Sequence, residues 1–72
     1  MNILEKNLWT YAFNIREKFI GKAKSDENFK KMKDEVELLY NRYLHTEAES
    51  PARWVCQMLL EMFNEEYAIG GN

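Results

Sequence analysis

The amino-acid sequence predicts an all-α fold, a small antiparallel bundle of three helices that is expected to associate with a second copy of itself. Three observations carry this expectation. Apolar residues recur at i, i+3, i+4 and i+7 in three stretches, two short polar segments separate those stretches, and no pair of alternating runs is joined by a tight turn. With 72 residues the chain makes one domain and one core, near the size at which a single chain is only marginally stable. A hydrophobic share of 46% against 31% charged is too apolar for a disordered chain, so the core is expected to form.

The first helix is expected over about 2–23, a stretch without proline in which Gly21 lies where a glycine can serve termination. "KSDEN" breaks it. Ser25 or Asp26 can cap the second helix, expected over about 26–45, and Asp26 and Glu27 place negative charge at its positive end. "HTEAESPAR" is the next break, with Ser50 as a cap and Pro51 at the first helical position, where its missing N–H is not needed. The third helix is expected over about 51–69, closed by "GGN".

The helical wheels differ in how much apolar surface they carry. On the second helix Phe29, Met32, Val36, Leu39, Tyr40, Tyr43 and Leu44 make one stripe, with Leu38 as an apolar exception opposite it. The first helix has a stripe in Leu4, Leu8, Tyr11, Ala12, Ile15 and Phe19, and a second row in Trp9, Phe13 and Ile20 roughly 120° around it. "WVCQMLLEMF" in the third helix leaves almost no face to water: Val55, Met58, Leu59, Met62 and Phe63 are central, Cys56, Leu60 and Tyr67 flank them, and Trp54 stands on the other side. Only Arg53, Gln57, Glu61 and Asn64 form a polar strip. A three-helix bundle absorbs part of this excess, because each helix touches two neighbours. The remainder is expected to be an interaction surface, since contiguous apolar patches rimmed by polar residues mark such sites and aromatic residues are enriched in interface cores. The partner-binding residues predicted on this ground are Trp9, Phe13, Ile20, Trp54 and Leu60.

Catalytic chemistry has little to work with. His45 and Cys56 are the only histidine and the only cysteine, and no third orienting group or glycine-rich turn marks them as a nucleophile and base. A cysteine amid apolar helical residues is ordinarily a core residue, and His45 at the end of the second helix is expected to meet the negative end of its dipole. The neighbouring carboxylates Asp34 and Glu35, and Glu65 and Glu66, diverge by about 100° on a helix. Glu61 and Glu65 do share a face, without a histidine at ligand spacing. Metal-ligand, EF-hand, P-loop and dinucleotide patterns are missing from the sequence, so no enzyme activity, no metal, no cofactor and no small-molecule substrate are expected.

Charge is segregated along the chain. From Ile15 to Lys33 seven cations face three acids, whereas from Asp34 onward two cations face eight. A lysine zone of Lys22, Lys24, Lys30, Lys31 and Lys33 is therefore a candidate phosphate contact, in a nucleic-acid-associated regulator as the alternative function. A helix-turn-helix reader is disfavoured, because the third helix offers Arg53 and Gln57 followed only by acids. The most apolar segment is too short and too interrupted to cross a bilayer, and acids rather than lysines flank it, which argues against a membrane-surface helix. Glu5 and Lys6 stand where a signal peptide needs a clean apolar stretch, and a lone cysteine suits a reducing compartment, so a cytoplasmic location is expected. The predicted function is a non-enzymatic protein–protein interaction module of the adaptor, regulator or inhibitor type.

Overall fold

A computed structural model describes residues 2–22 and 25–70, with side chains described as far as Glu66. It contains α1 (Ile3–Phe19), α2 (Asp26–Arg42) and α3 (Glu49–Gly70), each packed against the other two, and no strand among the described residues. The chain is a three-helix bundle. Lys24, Gly71, Asn72 and the side chain of Tyr67 lie outside the described residues, as does Ala23, the expected end of the first helix.

The helix starts follow capping chemistry. Asn2 precedes α1 in extended conformation, and its Oδ1 accepts from the Glu5 N–H at 2.9 Å. Ser25 caps α2 as expected, its Oγ accepting from the Asn28 N–H at 3.1 Å. The start of α3 differs from expectation: the helix begins at Glu49, so Ser50 and Pro51 are its second and third residues rather than cap and first residue. The Thr46 hydroxyl organises this start, donating to the Tyr43 carbonyl at 2.7 Å and accepting from the Ala48 N–H at 3.2 Å. Proline is tolerated because none of the first-turn N–H groups has an intrahelical acceptor.

Both earlier helices end sooner than their apolar pattern suggests. After Phe19 the chain turns with the Lys22 N–H on the Phe19 carbonyl, and Gly21 does so without positive φ. In α2 the last helical residue is Arg42. His45 is not a helical residue; it sits in the connection at φ 64°, the left-handed region. For a residue with a Cβ that region costs about 1–2 kcal/mol, partly offset in His45→Gly by the greater unfolded-state freedom of glycine. The expected result is a gain of about 0.5–1 kcal/mol, a melting temperature higher by about 2–8 °C, and the opposite shift for His45→Val. Thermal melts followed by circular dichroism test this, and an unchanged or lowered melting temperature in His45→Gly counts against backbone strain at this position.

The core draws on the expected stripes. Leu8, Ala12, Ile15 and Phe19 from α1, Met32, Val36 and Leu39 from α2, and Val55, Cys56, Leu59 and Phe63 from α3 are buried together with Tyr43. Phe19 and Phe63 meet edge to face, with ring centroids 6.3 Å apart. Ala48 and Ala52 are buried as well, and their small side chains let the last connection and the first turn of α3 close onto the bundle. Two ion pairs tie the helix edges, Arg16 to Glu66 at 3.0 Å and Lys18 to Glu35 at 2.7 Å. At such exposure they orient more than they stabilise.

Candidate interaction surface

Trp9, Phe13 and Ile20 are 37%, 62% and 48% exposed, and Trp54 is 66% exposed, so neither tryptophan belongs to the buried cluster. The second row of α1 turns toward the α3 side: Arg16, at a similar angle around the helix, reaches Glu66 on α3. Trp9 and Trp54 line one shallow depression of about 460 Å³ with Pro51, and Glu5 and Arg53 supply an acid and a base to the same lining. Pro51 sits there because α3 starts two residues before it, which sets the rigid ring beside both indoles. The tertiary structure thus brings two of the predicted residues together across two helices. Phe13 and Ile20 extend the row along α1 outside that depression.

Leu60 belongs elsewhere. It is half-buried, packs against the core, and lines a groove of about 780 Å³ between α2 and α3 with Val36, Tyr40 and Cys56. The rim of this groove mixes signs, with Lys30, Lys33 and Arg53 against Asp34 and Glu37. Cys56 gives the groove a thiol. Its thiol donates to the Val36 carbonyl, with sulfur and oxygen 3.6 Å apart, and burial pushes its pKa up to about 11. That direction opposes activation, since a reactive thiolate needs a lowered pKa.

The described lysines of the predicted zone, Lys22, Lys30, Lys31 and Lys33, do not form one face. Lys22 and Lys31 line a groove between α1 and α2 together with Asp34 and Glu35, whereas Lys30 and Lys33 line the α2–α3 groove. Lys31 lies 3.4 Å from Glu27, and the Lys33 ammonium stands 5.0 Å from the centre of the Phe29 ring. Adjacent positions on a helix diverge by about 100°, which is why Lys31 separates from Lys30 and Lys33.

No protein-family model, curated protein or solved structure matches the chain. Among the described residues no helix is long and apolar enough to cross a membrane, and no three His, Cys, Asp or Glu side chains stand together as a metal-holding group.

The residues that sequence reasoning missed here are Glu5, Pro51 and Arg53. Arg53 reads as part of the polar strip of its wheel, Glu5 only as a charge where a signal peptide needs an apolar stretch, and Pro51 as a helix start. Only packing sets them beside the tryptophans.

Proposed function

We propose that this chain is a small non-enzymatic interaction module of the adaptor, regulator or inhibitor type, working in the cytoplasm, which binds another protein or a second copy of itself through the surface centred on Trp9 and Trp54. One observation carries the reading: two tryptophans from different helices border one depression while the core closes without either. Large aromatics left out of a small core are a sizeable solvent-exposed apolar area, and burying such residues dominates interface energetics. Phe13 and Ile20 extend the contact along α1, and Leu60 contributes through the core it supports. A lone cysteine accords with a reducing compartment.

The test places a photo-crosslinking residue at position 9 or 54, with position 31 as control, in cells expressing the chain. Protein adducts are expected at 9 and 54 and not at 31. Trp54→Ala is expected to weaken association roughly thirtyfold, about 2 kcal/mol, with helicity unchanged. Adducts no richer at 9 and 54 than at 31, or a Trp54→Ala chain that loses its helices, would overturn the reading. The nucleic-acid alternative draws less support, because its four described lysines are divided between two grooves and interleaved with carboxylates. Its signature would be binding that falls steeply with salt.

A further inference from the structure

We infer that the occupant of the Trp9–Trp54 depression is a second copy of this chain, docked about a two-fold axis so that Glu5 of each copy meets Arg53 of the other. The inference rests on the reading of this surface as a binding surface and adds its partner and geometry. A two-fold interface uses the same patch on both sides, so the patch must complement itself: whatever residue i offers, residue j of the same patch must accept. The depression meets that condition. It is lined by one indole from α1 and one from α3, with one carboxylate on α1 and one guanidinium on α3 in the same lining. A two-fold arrangement in which each Glu5 meets the other copy's Arg53 pairs acid with base twice and brings the indoles of both copies into one seam. Arg53 has donors to spare for this exchange, because within its own chain Nε alone is directed at the Tyr40 hydroxyl, at 3.5 Å. The α2–α3 groove lacks that simplicity, with three cations and two acids on its rim.

Area bounds the strength. The exposed parts of Trp9, Phe13, Ile20 and Trp54 amount to a few hundred Å² per copy, about half of the roughly 800 Å² per partner of a standard stable interface. The dimer is therefore a concentration-dependent one rather than a permanent one.

The experiment follows the purified chain by light scattering from micromolar to millimolar concentration, with tryptophan emission in parallel. The mass is expected to rise from 8.7 kDa toward twice that value. Because both tryptophans of the chain lie at the seam, emission is expected to shift to the blue over the same range. E5R and R53E are each expected to weaken self-association about tenfold or more by setting like charges together. An equimolar mixture of the two is expected to recover it, since E5R supplies two bases and R53E two acids. Recovery on mixing has no intramolecular explanation. A chain that stays at 8.7 kDa with unshifted emission up to millimolar concentration overturns the second-copy inference, and so does a mixture no heavier than either variant alone. The first outcome leaves the crosslinking test of the surface standing. A dimer indifferent to W54A and to both charge reversals overturns the surface reading with it.

Discussion

Phe63→Ala is expected to lower the melting temperature by about 15 °C or more and to leave the isolated chain close to unfolding at ambient temperature. Phe63 is fully buried, its ring edge meets Phe19 across the α1–α3 contact, and nothing suggests that three helices can close over the space it would vacate. Truncating such a residue costs about 3–5 kcal/mol. A domain of this size has only about 4–11 kcal/mol in total, so the loss is a large fraction of it. The control is Phe13→Ala, a mostly exposed phenylalanine on α1, for which the expected change in monomer stability is within about 0.5 kcal/mol. Circular dichroism melts at one fixed low concentration check both, so that self-association does not enter the comparison. Equal losses in the two variants would mean that Phe13 is a core residue and that the exposed row of α1 is wrongly placed.

Cys56 is expected to react with an aromatic disulfide reagent at mildly alkaline pH about a hundredfold or more slowly in the folded chain than in denaturant. Burial raises its thiol from 9.0 to about 11, which cuts the thiolate fraction near pH 8 by about two powers of ten, and occlusion slows it further. The chain has one cysteine, so the signal needs no assignment. A native rate within about tenfold of the denatured rate would sink the assignment of Cys56 to the core.

The same shift makes a statement about stability. The folded-state pKa lies above the unfolded one, so its contribution is fully present below about pH 9 and is lost as pH rises through about 11. Wild type is therefore expected to lose about 2–3 kcal/mol more than Cys56→Ala across that window. Tyr43, whose phenol burial also pushes upward, titrates equally in both proteins and drops out of the difference.

How far the sequence carried the structure is clearest in "WVCQMLLEMF". The helical period predicts a helix there and places Val55, Leu59 and Phe63 inside, and all three are buried. It treats Met58 and Met62 as equally central, yet both are only half-buried, whereas Cys56, put on the flank, lies inside with Ala52. A wheel gives the angular order of side chains about one axis. It does not say where the two neighbouring axes stand, and that decides which side of the stripe is covered.

The connections follow the same division. Ser25 was legible as a cap because a hydroxyl three residues before a free N–H is a local device. Glu49 as the start of α3 was not, because it depends on Thr46 and on the burial of Ala48 against the bundle.

By itself, then, the sequence determined three helices, two breaks, most of the inward residues (Leu4 and Tyr11 of the α1 stripe stand exposed) and the surplus of aromatic side chains, since these follow from the 3.6-residue period and short-range hydrogen bonding. Tertiary structure alone decided that Trp9 and Trp54 share a depression with Glu5 and Arg53, that Leu60 turns to a different groove, and that the lysines divide. Those are relations between residues on different helices or on diverging sides of one, and the angles at which the helices pack set them.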